Sequence, residues 1–437
     1  MSSRKRLLGL VVALLLSGCR PRPLPSPLPP SPSPSVEQPA GTPRLFFPFV
    51  ASEQATATVP PARSPAPPAT EPVRPPQGAP SPTPLPPPVP KPDWGLQVHL
   101  FGLDVDQVLT WARGTGVGWI KQQVEWTNIE HAPGQYDWAE LDRIVDKVNG
   151  YGFKLLLGVN HAPAWMRTDP VEYGPPHDPA EFGRFMGLLA ARYRGRVAAY
   201  ELWNEPNLRR EWRGEPLDPA LFVALVQAGS EAIRAADPDA LVISGAPAVT
   251  GINDGVTAVD DRVYLRGMLA AGVARWVDGI GVHPYGFANP PEASWRDAQQ
   301  VSSSHNDHPS FFFRDTLEDY RALLVAAGAG DLPLWVTEFG WPSVEGLGLV
   351  DVTGWEYARE VTEEEQAAYI VRAFRWGDAR PWVGPMFLWN LNIAPLWGPS
   401  RPESAYSLLR PDGSYRPAYI ALRLAEEGGR EAIRKGK

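Results

Sequence analysis

Cysteine is almost absent from this chain of 437 residues: Cys19 is the only one. No disulfide can form within the chain, so a fold stapled by crosslinks is excluded and stability must come from a buried core. Long apolar runs are missing too; none reaches the roughly 18 residues that a spanning helix needs. Positive charge is scarce where the chain can fold. Residues 1–92 hold nine Lys/Arg and three Asp/Glu, which leaves 32 basic against 46 acidic residues, a net −14, in the rest. Phosphate binding needs clustered cations, so nucleic acid is not an expected partner. A neutral polymer such as a sugar chain fits better. No Gly-rich phosphate loop follows a strand, and no Gly-x-Ser-x-Gly turn is present. His305 and His308 form a His-x-x-His pair without a further ligand, so no metal or other cofactor is expected.

Proline is unevenly spread. Residues 21–92 hold 27 of the 51 prolines, and all 17 tryptophans come later. One folded unit, 93–437, is therefore expected behind a non-globular front. Arg4, Lys5 and Arg6 precede a ten-residue apolar run, 7–16, which reads as the core of a signal peptide over 1–18. The run ends Leu16-Ser17-Gly18-Cys19, which resembles the lipobox of bacterial lipoproteins. That resemblance implies cleavage before Cys19, lipid on its sulfur, and anchoring to a membrane surface outside the cytoplasm, at the cell surface or in the periplasm. The Pro-rich stretch 19–92 then reads as a semi-rigid tether. Its small apolar patch, 44–50, is taken to have no role.

From residue 94 short β-rich runs alternate with longer helical ones. Candidate strands are 96–101, 119–124, 154–159, 198–203, 241–244, 279–283, 334–337 and 386–389. Candidate helices are 104–113, 138–151, 179–193, 219–236, 262–271, 316–327, 362–376 and 417 onward. Eight alternating units predict an α/β fold, a (β/α)8 TIM barrel with its chemistry in the loops after the strands.

The fourth strand ends Trp203-Asn204-Glu205-Pro206-Asn207 and the seventh Thr337-Glu338-Phe339-Gly340-Trp341. Hydrolysing a glycoside needs two carboxyl groups flanking the bond. Strands four and seven stand on roughly opposite sides of an eight-stranded ring, so their ends can face each other across a substrate. Here residues 94–425 resemble the clan A glycoside hydrolases, with family 39-like and family 5-like local text. The resemblance implies a retaining glycosidase that cleaves β-linked oligo- or polysaccharides, with Glu205 as general acid/base and Glu338 as nucleophile. Glu205 is then expected to carry a raised pKa while Glu338 stays ionised. Asn204 would bond the sugar 2-hydroxyl, and His283 and Tyr285 after the sixth strand would touch sugar and nucleophile. Trp389 after the eighth would floor the cleaved sugar. Lys121 stands where many clan members have an arginine on the nucleophile, and lysine lacks arginine's planar fork. Asn160 and His161, with Trp126, Trp165 and Trp341, are further substrate-binding candidates.

Two other readings share much of this text. A glycan-binding lipoprotein with a dead barrel would have lost a carboxylate, and both are present. A transglycosylase would use the same residues. A metal-dependent hydrolase on this fold would need His-x-His after the first strand, where His99 stands alone. Oligomeric state and the choice between exo and endo action are not read from the sequence; loops 284–313 and 341–361 would decide the latter.

Overall fold

The computed structural model of the protein describes residues 90–425 apart from 171–172, 298–301 and 349–351, together with residues 85, 87 and 88. The expected signal segment, Cys19, the tether up to residue 84 and its 44–50 patch lie outside the described residues. Eight parallel strands close into a barrel: β1 (Lys91–Val98), β2 (Val117–Glu125), β5 (Lys154–Asn160), β6 (Ala199–Leu202), β7 (Leu241–Ser244), β8 (Gly279–Val282), β9 (Leu334–Phe339) and β10 (Val383–Leu388). A small hairpin, β3 (Glu130–Ala132) with β4 (Gln135–Tyr136), follows β2. The helices are α1 (Val105–Thr115), α2 (Ala139–Gly150), α3 (Pro179–Arg192), α4 (Pro219–Ala236), α5 (Asp261–Ala270), α6 (Phe313–Ala326), α7 (Glu363–Asp378), the short α8 (Ile393–Trp397) and α9 (Pro417–Leu424). This is the expected (β/α)8 barrel.

Local chemistry sets the helix starts. Asp178 and Asp218 each accept a backbone N–H two residues on, and each is followed by proline at the first helical position, where a missing N–H costs nothing. Thr362 and Glu365 make a reciprocal capping box on α7.

Along a strand, side chains alternate between the barrel interior and the helical layer. Trp119, Leu156, Ala199, Ile243, Trp335 and Phe387 form an apolar plug inside the ring. Their neighbours Ile120, Leu157, Leu202 and Leu388 join the larger core beneath the helices. A Cβ at Gly95 would lie 2.5 Å from the Phe387 ring, so only glycine fits beside the plug there. The next inward positions, two residues further up, are Gln97, Lys121, Gly158, Glu201 and Trp389. A largely polar layer therefore sits directly on the apolar plug.

β9 breaks the alternation. Between the pairs Met386–Val336 and Leu388–Phe339 it holds one residue more than β10. The extra residue re-aims the side chains beyond it. Trp335 and Glu338 both point inward, while Val336 and Phe339 both join the outer core.

β1 starts at Lys91, upstream of the expected residue 96, and ends at Val98 rather than 101. Pro92 made this stretch read as tether. Lys91 is nevertheless buried, with its N–H on Gly116 O at 2.7 Å and its ammonium on Thr115 O at 3.1 Å. The pairing with β2 shifts register between Lys91 and Gly95.

Candidate active site

Glu338 sits at the end of β9 with none of its side chain exposed. Tyr285 OH donates to its Oε2 at 2.9 Å, and Lys121 Nζ to its Oε1 at 3.3 Å. With its amide turned to satisfy both neighbours, Gln97 donates to the same Oε1 at 2.8 Å and accepts from Trp389 Nε1 at 3.2 Å. Lys121 spends its other protons on Glu201 Oε2 at 2.8 Å and Thr337 O at 3.2 Å. Burial pushes the Lys121 ammonium down, but Glu201 and Glu338 outweigh burial and hold it above the ordinary lysine value. Gly158 makes room for this pair: a Cβ there would stand 3.2 Å from Glu201 Oε2 and 3.4 Å from Lys121 Cε. Lys121→Met would leave the buried Glu201 and Glu338 without the ammonium that pairs with both. We expect a loss of about 3–5 kcal/mol in urea unfolding at neutral pH. An unchanged midpoint would show that the lysine does not hold the two acids together.

Glu205 follows β6 with a side chain 1% exposed. Its Oε1 faces His283 Nδ1 at 3.2 Å, and its Oε2 takes Arg210 Nη2 at 2.8 Å. An ionised carboxyl only accepts, so Nδ1 is the protonated nitrogen. The same Nδ1 lies 3.8 Å from Glu338 Oε2. Burial raises the Glu205 carboxyl, yet the His283 hydrogen bond and the Arg210 charge more than offset it, and the group lies below the ordinary glutamate value. This corrects the expectation of a raised pKa. The sequence shows the two acids but not the guanidinium folded back onto one of them. Burial lowers His283, but Glu338 and Glu205 reverse that and raise it. Backbone strain gathers here: Trp203, Glu205, His161 and Phe287 all have positive φ, at 79°, 43°, 52° and 53°.

Asn204, beside Glu205, has a buried Nδ2 with no protein partner, and neither amide atom of Asn160 at the end of β5 has one. Trp165 lies on a short turn, Ala164–Met166, and is 43% exposed. Other candidates sit elsewhere. Trp341 is wholly buried, donates to Asn289 O at 2.7 Å and packs on Phe313 and Tyr369; it is core, not a sugar subsite. Trp126 is core as well, stacked on Phe185 and bonded to Glu130. Trp389 reaches the site but shows no open face, because its ring meets Tyr285 and Tyr406 at steep angles and is buried with them. The expected platform is closed in this state. His305 stacks on Phe287, where burial pushes it down to about 4, and His308 caps a short turn through Ser310 N.

Sequence reasoning missed Gln97, Glu201, Arg210 and Glu211. Pleat parity would have found the first two, since each is two residues past a plug-layer position, Gly95 or Ala199. Glu211 Oε2 meets His161 Nε2 at 3.1 Å, and Glu125 Oε1 lies 3.7 Å from Nδ1 of that ring. Burial lowers His161, but the two acids reverse this and push it up to about 9. His161 is thus a cation between carboxylates and also stacks on Tyr173 at 4.0 Å.

A (β/α)8 barrel that holds two glutamates against one histidine at its strand ends is the kind of site on which glycosides are hydrolysed. Over residues 95–375 the sequence matches the family Cellulase (glycosyl hydrolase family 5), and the chain belongs to that family. Endo-1,4-beta-xylanase A of Phanerodontia chrysosporium is 28% identical over 122 residues, which is 27% of this chain and 29% of the xylanase. The chain thus matches less than a third of that relative's length. A family 39 glycoside hydrolase from Bacteroides cellulosilyticus WH2 superposes with a TM-score of 0.56 at 22% identity, covering 76% of this chain and 63% of its own. A glucosidase from Croceicoccus marinus does so with a TM-score of 0.54 at 14% identity, covering 77% and 68%. At these identities the two structures show a shared fold.

Proposed function

We propose that the protein is a retaining glycoside hydrolase acting on β-linked oligo- or polysaccharides, with Glu205 as general acid/base and Glu338 as nucleophile. The observation that carries this reading is the shared histidine. His283 Nδ1 is 3.2 Å from one carboxyl oxygen and 3.8 Å from the other, so those oxygens are at most 7.0 Å apart, the sum of the two. That bound accommodates the roughly 5–5.5 Å of retaining enzymes and stops near the lower edge of the roughly 6.5–9.5 Å of inverting ones.

In the first step a Glu338 oxygen attacks the anomeric carbon while Glu205 protonates the departing oxygen, leaving a glycosyl ester on Glu338. In the second, Glu205 takes a proton from water, the water oxygen attacks the same carbon, and Glu338 leaves as carboxylate. Tyr285, Lys121 and Gln97 all donate to Glu338, which fixes its rotamer and shares its charge. Asn204 Nδ2 and the Asn160 amide supply buried hydrogen-bonding groups for sugar hydroxyls.

The test is a panel of aryl β-glycosides and β-linked xylan, mannan and glucan fragments. Proton NMR then tracks the first-formed hemiacetal. We expect the β anomer to appear first and mutarotate later. An α anomer first would overturn the retaining assignment, and no hydrolysis of any member would overturn the activity.

We further propose that Cys19 is lipidated and tethers the enzyme to a membrane surface through the Pro-rich segment 19–92. Cys19→Ser should move the protein from the membrane fraction to the soluble one. An unchanged distribution would reject the anchor.

A further inference from the structure

Both oxygens of the acid/base carboxyl of the proposed reaction already accept from a donor. Its Oε1 is taken by His283 Nδ1 and its Oε2 by Arg210 Nη2. A general acid must present an O–H to the departing oxygen, and a guanidinium bonded at 2.8 Å both occupies that place and disfavours the proton. Leaving-group protonation is therefore favoured when Arg210 moves off.

The structure also shows where it can go. Arg210 Nε already lies 3.8 Å from Glu211 Oε1, and that buried carboxyl uses its other oxygen for His161. The loop that carries the arginine is pinned. Asn207 bonds Ala248 and Val259 main chain, and Arg209 bonds the carbonyls of Val256 and Glu215. The Arg210 side chain reaches solvent: it is 24% exposed, against 1% for Glu205 and 3% for Glu211. Acidic and basic side chains alternate along the whole line. Glu125, His161, Glu211, Arg210, Glu205, His283, Glu338, Lys121 and Glu201 succeed one another through contacts of 3.8 Å or less. A shift of Arg210 from Glu205 to Glu211 keeps the guanidinium beside a carboxyl.

We propose that Arg210 is a positioning residue that latches Glu205 as a carboxylate before substrate binds and passes to Glu211 when the leaving group arrives. This rests on the reading of Glu205 as acid/base, but the latch itself can be measured without turnover. The groups facing Glu205 are Arg210 on its own loop, His283 and Tyr285 after β8, and Glu338 on β9, with Lys121 of β2 behind Glu338. Of these only Arg210 is both cationic and solvent-reachable.

The experiment titrates the carboxyl by carbon-13 NMR of glutamate-labelled full-length protein. The Glu205 resonance is the one that disappears in Glu205→Gln. Removing a cation raises a carboxyl pKa, so Arg210→Gln should move the Glu205 midpoint up by about 1–3 pH units. Arg210→Lys should restore most of the wild-type value. Glu211→Gln removes the alternative seat and should move the midpoint down. A Glu205 midpoint that stays put in Arg210→Gln, or that moves up in Glu211→Gln, overturns the latch. Should Arg210→Gln fail to fold, the other two variants decide. In parallel, the alkaline limb of kcat/KM in Arg210→Gln should move up by the same amount; a limb that stays while the midpoint moves would reject Glu205 as the acid and leave the latch standing.

Discussion

Glu338→Ala should cut hydrolysis of every β-glycoside substrate by a factor on the order of 10⁴ to 10⁶. On the proposed mechanism the reason lies in the covalent step. Without the carboxylate no glycosyl ester forms, and water alone must attack a poorly stabilised oxocarbenium-like centre. The fold should survive, because Lys121 keeps Glu201 and Thr337 O as partners. Thermal unfolding should therefore remain cooperative, and loss of activity cannot then be ascribed to collapse. A small anion such as azide fits the space left by the carboxyl and attacks from its side. Its product should be the α-glycosyl azide, formed in a single inverting displacement. Hydrolysis that continues unchanged in this variant would remove Glu338 from the mechanism.

Glu205→Ala should split substrates by leaving group. Alkyl and sugar aglycones leave only when protonated, and for them kcat/KM should fall on the order of 10² to 10⁴. Dinitrophenyl glycosides need no proton, so their first step should be nearly unaffected and the glycosyl–enzyme should accumulate. Azide should now give the β-glycosyl azide, since the ester still forms and is opened from the opposite face. The alkaline limb of the pH profile should vanish for activated substrates as well. Equal losses on activated and poor leaving groups would contradict the acid role.

Much of this molecule was legible in its sequence. The alternation of short β-rich runs with capped helices predicts eight units, and eight form. Paired glutamates at the fourth and seventh strand ends could be placed on opposite sides of the ring from chain order alone. What the sequence did not show is direction. Trp341 and Glu338 both lie near the end of β9, yet one packs into the helical layer and the other faces the barrel axis. Position along the chain does not separate them, whereas their contacts do: Phe313 and Tyr369 for the one, Lys121 and Tyr285 for the other. Trp126 failed as a subsite for the same reason, since it shares the outward parity of Ile120 and Val124. The path of the long loops was also hidden. Ser303 and Glu360 join the loops after β8 and β9 by hydrogen bonds, and Phe287, His305 and Tyr357 interlock between them. No local signal in either loop announces the other.

The single surplus residue in β9 has a consequence for anyone who alters this enzyme. Amino-acid replacements upstream in that strand change what packs where, but they leave the carboxylate aimed at the axis. Removing one residue between Val336 and Glu338 would do the reverse: every side chain would remain chemically intact while the Glu338 carboxyl rotated into the wall among phenylalanines. In this strand the length of the text, more than its spelling, decides whether that carboxyl meets the axis.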